Sequence, residues 1–477
     1  MYKFDNAEIE KEQTILHVPK ECYFYLTGHF QFEVLQGDVY VNGIKVMKGN
    51  HCIEQSHFSP AIPFVCKTNA DIQFKPLTTS CEELYELPSS YLMKETTKED
   101  TLLSSNAFTF GGIRIVNKSL ANKMNIPKNW RRVIQRIKNT AKQGVVRVGV
   151  VGGKGVGKST FVNLLKNSLV EDNKVCIIDV DPGQPFCGKI GTFSLIVCDK
   201  QNFNESYIGK TFYEENNFVI GSNNLGNNTC LVVQTIKELI QLYINKYSNL
   251  PLIINTAGWK SGFGLELLEL ELSLSRTMFV IDIIDSPNSI IKELDQICPI
   301  HIAIQSCVNK GSILPNLLIS SFKRDLSLSN LMIHSNWYSI PLKRIALSYL
   351  DDFDPHFALL SINNKYVFLS HNHSLEPHII NNITDYPVFY KPDNKSALST
   401  FGIGLALVNV TSKTLYIKTS IGDDKMKDVN TIIYSVFMDS PVMHPIVDGE
   451  IGPYMALDQD VSGSERSQFK FIRRNFD

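Results

Sequence analysis

A glycine-rich turn ending in Lys158-Ser159 is the stretch of this chain best suited to hold a phosphate. Gly152, Gly153, Lys154, Gly155, Val156, Gly157, Lys158, Ser159 and Thr160 follow the pattern G-x-x-x-x-G-K-[ST]. Glycines let backbone N–H groups wrap a phosphate, and a helix starting just behind adds its positive end. In such a loop Lys158 reaches the β- and γ-phosphates and Ser159 holds Mg²⁺, so a nucleoside triphosphate with Mg²⁺ is the expected ligand.

Two further motifs suit phosphate transfer. Asp179-Val-Asp-Pro-Gly-Gln-Pro185 closes an apolar run. Asp179 and Asp181, beside Gln184, suit holding Mg²⁺ and taking a proton from an incoming hydroxyl. Read without its neighbours, the same motif is equally a solvated turn at a strand end. Asn255-Thr-Ala-Gly-Trp-Lys-Ser-Gly-Phe-Gly264 follows another apolar run. A Trp among glycines at the edge of a parallel sheet suits stacking on a nucleobase, and core packing of Trp259 is the competing reading.

These motifs need strands and helices to hold them. Val145–Val151 reads as the strand feeding the glycine loop, and Phe161–Leu169 has the helical spacing to leave it. Apolar runs at Lys174–Asp181, Leu250–Thr256 and Thr277–Ile283 alternate with amphipathic segments, the pattern of a parallel α/β sheet. Pro127–Ile137 reads as a helix with Pro127 in its first turn. Its Arg131, Arg132 and Arg136 suit phosphate contact or an ordinary amphipathic face.

The ends differ. Residues 1–107 read as β-rich, with runs at Glu21–Leu26, Phe30–Leu35 and Asp38–Val46 and a turn signal at Asn42-Gly43. Lys94–Asp100 reads as a linker or exposed loop. Residues 351–477 return to short strands at Tyr366–Leu369, Gly402–Val408, Thr414–Lys418 and Thr431–Phe437. The expected class is α/β: a central P-loop kinase-like domain with a parallel sheet, residues 108–350, between β-rich domains.

Composition bounds the partners. The 477 residues carry a net charge of −1 and are 43% apolar, so sizeable cores are expected and no global basic field exists. No apolar stretch reaches the ~18–20 residues that span a bilayer, and the opening Met-Tyr-Lys-Phe-Asp-Asn lacks a secretory core. Ten cysteines without a C-x-x-C pair read as reduced, buried thiols. His371-Asn-His373 with His378 reads as a surface loop, because neither a cysteine nor a further ligand is placed beside it.

Taken together, the loop, D-x-D-x-G-Q and T-x-G-W, in that order, resemble the polynucleotide 5′-hydroxyl kinase family. Asp-Pro-Gly-Gln-Pro, Asn-Thr-x-Gly-Trp-x-x-Gly-x-Gly, Gly452–Met455 with Arg473–Asn475, and Leu35-x-Gly-x-Val-x-Val-x-Gly43 are similar to its pre-ribosomal-RNA-processing branch. The resemblance implies that Asp181 activates the RNA 5′-hydroxyl and that Thr256, Gly258 and Trp259 clasp the RNA end. It also implies an endoribonuclease partner and a nucleolar, nuclear location. The family's lid helix carries R-x-x-x-R; the expected counterpart, Ile340–Leu350, offers Arg344 with Lys343 beside it. Those two equally suit a solvated helix face.

The main reading is an ATP-dependent RNA 5′-hydroxyl kinase acting on the internal spacer of pre-ribosomal RNA. A nucleotide-dependent switch ATPase and a kinase-like scaffold are the alternatives. Lys154 sits four residues before Lys158, out of register with the five of partitioning ATPases. Asn309-Lys310-Gly-Ser is not the guanine-reading N-K-x-D.

Overall fold

The computed structural model describes residues 7–10, 13–55, 62–76, 108–110, 113–116, 126–203, 212–307, 324, 328, 331–332, 335–350, 357–392 and 396–436. The expected linker at Lys94–Asp100 and the motifs at Gly452–Met455 and Arg473–Asn475 lie outside these residues. The chain divides into two units. The first is Met1–Ile177, Val197–Glu214 and Lys246–Leu317; the second is Ile178–Ile196, Glu215–Asn245 and Leu318–Asp477.

The amino-terminal part of the first unit is antiparallel β structure. Alternating burial along Ile62–Cys66 and Ala70–Pro76 gives these strands one inward face. Phe24, Phe30, Phe32, Phe64 and Phe74 fill that core. The two strands expected at Glu21–Leu26 and Phe30–Leu35 are one 15-residue strand, Cys22–Gln36. Its first part pairs with Ile62–Cys66 and its second with Asn50–Gln55 and Ala70–Pro76. Asn42-Gly43 makes the two-residue turn between Val39–Val41 and Ile44–Lys45, with both residues at positive φ.

The same unit holds the phosphate-loop sheet. Arg147–Gly152 lies between Leu252–Asn255 and Phe279–Ile284, and Ile300–Gln305 pairs with the latter, all parallel. Parallel strands covered on both faces read as continuous apolar runs, and Leu252–Asn255 is buried throughout. Helix Lys128–Ala141 follows Pro127 and buries Trp130, Val133, Ile134 and Ile137. Its exposed residues include Arg131, Arg132 and Arg136, so the stripe is amphipathic.

Gln201 joins these two parts. Its side-chain amide donates to the Lys45 carbonyl at 2.8 Å and to the Asn167 carbonyl at 3.3 Å, and its oxygen accepts from the Met47 N–H at 2.9 Å. Phe203, fully buried, meets the rings of Phe32 and His51 at 6.2 and 5.6 Å. The glycine-loop helix is thereby tied at its far end to the amino-terminal sheet.

The second unit is built on a seven-stranded mixed sheet. Its order is Asn336–Pro341, Thr414–Thr419, Gly402–Asn409, Lys365–Ser370, Thr431–Tyr434, Ala346–Tyr349 and Val388–Tyr390. The last two pairings are parallel and the others antiparallel. Both faces are covered: Ile403 and Leu405 belong to one core, Ala406 and Val408 to the other. That explains the unbroken apolar run at Gly402–Val408.

The sheet also takes in Asn336–Pro341 and Ala346–Tyr349, which corrects one expectation. Ile340–Leu350 is not a helix. It is the end of one strand, a single 3₁₀ turn at Leu342–Arg344, and a second strand. Leu342, Ile345 and Leu347 face the core at a spacing that mixes three and two, and β-sheet pairing decides between them.

The nine described cysteines are thiols outside any disulfide, and six of them are buried. Burial pushes the Cys198 thiol up to about 11 and Cys66 up to about 12, so both are inert apolar fillers. Among the described residues no helix is long and apolar enough to cross a membrane.

Candidate active site

In the first unit, the loop Gly153–Gly157 connects strand Arg147–Gly152 to helix Lys158–Leu169. The helix begins on Gly157, whose φ of 104° belongs to the left-handed region. A Cβ there would stand 2.6 Å from Cys307 Sγ and 3.2 Å from the Trp130 ring, so only glycine fits. Trp130 is fully buried, donates its indole N–H to the Gln305 carbonyl at 2.7 Å, and meets Phe161 edge-on at 5.3 Å. Ser306 Oγ donates to the Val156 carbonyl at 2.7 Å. The loop is thus braced by a neighbouring helix and strand.

Lys158 is buried, and its ammonium donates to the Gly152 and Gly153 carbonyls at 3.1 and 3.0 Å. It lies across the loop's own carbonyls, where a phosphate would compete for it. Ser159 and Thr160 follow in the first turn, where helix N–H groups have no intrahelical partner. Ser159 and Thr160 are half-buried, and Lys154 and Gly155 are exposed. The described geometry is that of a phosphate cradle with an open rim.

Beside that rim lies the Trp motif. A Cβ on Gly258 would meet Lys154 N at 3.0 Å and Lys158 Nζ at 3.3 Å, so this backbone packs directly on the loop. Trp259 is 36% exposed, which rules out core packing. Its ring meets Phe263 at 5.9 Å and lies on Gly264 in the first turn of helix Phe263–Leu274. Thr256 has a different place: it is fully buried, and its hydroxyl donates to the Val150 carbonyl at 2.9 Å. That bond ties the end of one strand to the strand carrying the loop.

The residue after Trp259 carries a contact that the sequence reading missed. Lys260 Nζ donates to Asp282 Oδ1 at 2.8 Å and to the Ser289 carbonyl at 3.2 Å. Asp282 Oδ2 accepts from the Ile291 N–H at 3.0 Å, and the side chain is fully buried. His301 Nε2 stands 3.9 Å from Asp282, a charge contact too long for a hydrogen bond, while its Nδ1 is 2.6 Å from Asp295. Burial pushes the Asp282 carboxyl up, but His301, Lys260 and the Ile291 N–H outweigh it and hold it below the usual range. Asp282, and then Asp295, raise His301 above its ordinary value against desolvation. The available signal was an acid inside the apolar strand Phe279-Val-Ile-Asp-Ile-Ile284, where an ionised group requires a partner.

In the second unit, Asp179 is buried and both its oxygens accept backbone N–H groups, from Asp181 at 3.3 Å and Cys187 at 2.8 Å. Asp181 is half-buried, and its Oδ1 accepts from Gly183 at 3.2 Å and Gln184 at 3.0 Å. Asp179 therefore builds the turn, and Asp181 caps its tip beside half-buried Gln184. Arg344 is exposed in the 3₁₀ turn of the seven-stranded sheet, so it presents no lid helix.

Residues 152–311 match the family model described as the P-loop of mRNA cleavage and polyadenylation factor CLP1. The chain is similar to polynucleotide 5′-hydroxyl-kinase GRC3 of Gibberella zeae, 28% identical over 280 residues covering 51% of this chain and 37% of that protein. It is also similar to polynucleotide 5′-hydroxyl-kinase NOL9 of Arabidopsis thaliana, 34% identical over 156 residues covering 30% of this chain and 41% of that protein. The chain spans less than half the length of these curated relatives. Among solved structures, the wild-type Clp1p–Pcf11p complex aligns with a TM-score of 0.56 at 11% identity, over 90% of this chain and 98% of that one. At that identity the likeness establishes the fold.

Proposed function

We infer that this chain belongs to the polynucleotide 5′-hydroxyl-kinase family and is an enzyme that moves the γ-phosphate of ATP onto the 5′-hydroxyl of RNA. One observation carries this reading: Gly258 packs on the phosphate loop while the next residue, Trp259, stays exposed. A phosphate cradle and a surface able to stack a terminal base therefore sit side by side. A switch ATPase has no need of the second.

In this reading the loop N–H groups and Lys158 hold the β- and γ-phosphates, and Trp259 stacks the terminal base of the acceptor. The 5′-hydroxyl oxygen forms a bond to the γ-phosphorus as the bond to the β–γ bridging oxygen breaks. The hydroxyl proton passes to the Asp181 carboxylate, and ADP leaves. The backbone N–H groups of Gly183 and Gln184 keep the Asp181 carboxylate in one orientation. Ser159, an oxygen donor in the first helical turn beside the cradle, fits Mg²⁺, which would neutralise charge on the phosphates. Asp179, with both oxygens engaged by N–H groups, holds the Asp181 turn in shape.

The biological step that goes with this chemistry is pre-ribosomal RNA spacer processing in the nucleolus. There the kinase would act on the 5′-hydroxyl end left by an endoribonuclease partner. The test is incubation with γ-labelled ATP and a 5′-hydroxyl RNA oligonucleotide. Labelled RNA that vanishes in Lys158→Ala and Asp181→Asn supports the kinase. ATP hydrolysis indifferent to the RNA would establish a switch instead, and no turnover with intact ATP binding would establish a scaffold.

A further inference from the structure

The second unit carries a side-chain cluster that phosphate transfer does not use. Strand Lys365–Ser370 ends at His371-Asn-His373, which leads through one 3₁₀ turn to helix Glu376–Ile380. His371 Nε2 lies 3.0 Å from His373 Nδ1 and 3.2 Å from Glu376 Oε1, and His373 Nδ1 lies 3.8 Å from Glu376 Oε2. We propose that His371, His373 and Glu376 form a binding site for a zinc-class divalent cation.

Three properties of the cluster carry this. The first is size. Ligands about 2.0–2.1 Å from a tetrahedral zinc ion stand about 3.3–3.4 Å from one another. The observed separations of 3.0, 3.2 and 3.8 Å bracket that edge, so a cation can enter with only small side-chain rotations.

The second is tautomer. His371 Nδ1 lies 2.6 Å from the Asp428 carbonyl, an acceptor only, so this nitrogen carries the proton. In the neutral imidazole Nε2 then presents its lone pair to the cluster. A backbone carbonyl orienting the far nitrogen of an imidazole is the arrangement that metal-ligating histidines show. A lone pair and a carboxylate thus converge on His373 Nδ1, whose proton a cation would replace.

The third is framework. Between the two histidines, Asn372 N–H donates to Asn430 Oδ1 at 2.8 Å, and the Asn430 amide donates back to the Asn372 carbonyl at 3.1 Å. Asn372 Oδ1 also accepts from Ser374 N–H at 3.0 Å. The loop's backbone is held from both sides, so the imidazoles need not be ordered by the ion. His373 is 87% exposed, which leaves the remaining coordination positions to water. His378, the third histidine of this stretch, takes no part. Glu376 is the placed ligand that the sequence alone did not reveal.

The experiment uses the full chain stripped of metal with a chelator and titrated with Co²⁺ and Zn²⁺. We expect one equivalent of Co²⁺ to give ligand-field bands in the visible without a thiolate charge-transfer band in the near ultraviolet, and Zn²⁺ to displace it. His373→Ala and Glu376→Gln should weaken that equivalent at least tenfold, His378→Ala should leave it unchanged, and Zn²⁺ should raise Tm in the parent but not in His373→Ala. Truncating so exposed a side chain leaves the fold intact, and circular dichroism verifies that. The proposal is overturned if the parent gains no such equivalent, if His373→Ala binds as the parent does, or if the cobalt spectrum is that of thiolate ligands.

Discussion

Lys260 donates a 2.8 Å hydrogen bond to Asp282, and through it a fully buried carboxylate anchors the backbone next to the exposed Trp259. Chemistry at the rim of the phosphate loop thereby depends on a charge pair inside the adjacent strand.

Removing either partner exposes that dependence. Lys260→Met strips a buried carboxylate of its strongest donor, a change that costs about 3–5 kcal/mol in comparable sites. We expect a lowered Tm and a raised KM for the RNA oligonucleotide. Unchanged values for both would show that the pair anchors nothing.

The two titrating members act at opposite ends of the pH scale. Asp282 is depressed in the fold, so its stabilisation is present above the unfolded carboxylate pKa and is lost as pH falls through the folded value. His301 is raised, so its contribution is complete below the unfolded imidazole pKa and fades as pH climbs through the folded value. In thermal melts across pH, His301→Gln should flatten the alkaline decline and, because His301 helps hold Asp282 down, move the acid limb to higher pH; a profile unchanged at both ends would show that His301 and Asp282 are not coupled.

Trp259→Ala should separate acceptor binding from nucleotide binding. Loss of one stacking platform, worth ~1–3 kcal/mol, raises the KM for oligonucleotide about 5- to 150-fold. ATP affinity, measured by calorimetry, should stay within twofold. A matching loss of ATP affinity would mean that the indole supports the loop instead of the acceptor.

Gly258→Ala tests the close approach from the other side. The added methyl would press on the Lys154 backbone and on Lys158 Nζ, at 3.0 and 3.3 Å, and must displace one of them. Weaker ATP binding by about tenfold or more is expected, with Tm lowered by a few degrees. Parental ATP affinity would show that the loop yields at no cost.

Glu271 is a different case, a buried carboxyl on helix Phe263–Leu274 with one oxygen lacking any hydrogen bond. Desolvation pushes it up to about 8. The fold therefore retains a proton that the unfolded chain releases above the ordinary carboxylate pKa, and stability is lost as pH rises toward 8. Glu271→Leu should raise Tm relative to the parent, with the gain growing between pH 5 and 8. A gain independent of pH would assign the effect to packing alone.

The strands feeding the glycine loop and the Trp motif were legible because buried parallel strands leave uninterrupted apolar runs ahead of glycines. The exposure of Trp259 was not legible, since an indole's fate depends on what lies across from it, here Gly264. Ile340–Leu350 misled because its apolar residues suit a helix as well as a strand–turn–strand, and only pairing with Thr414–Thr419 and Thr431–Tyr434 decides. Glu376 beside the histidines was hidden for a related reason. One turn of helix after the strand folds it back onto His371, and short turns leave weak sequence signals.

Gln201 has a practical consequence. Because its amide spans Lys45, Met47 and Asn167, cutting away the first hundred or so residues would remove two of its partners, the Lys45 carbonyl and the Met47 N–H, and uncover Phe203. A shortened protein starting near the glycine loop should precipitate on expression. The amino-terminal sheet is part of the scaffold on which the loop's helix rests, not a removable appendage.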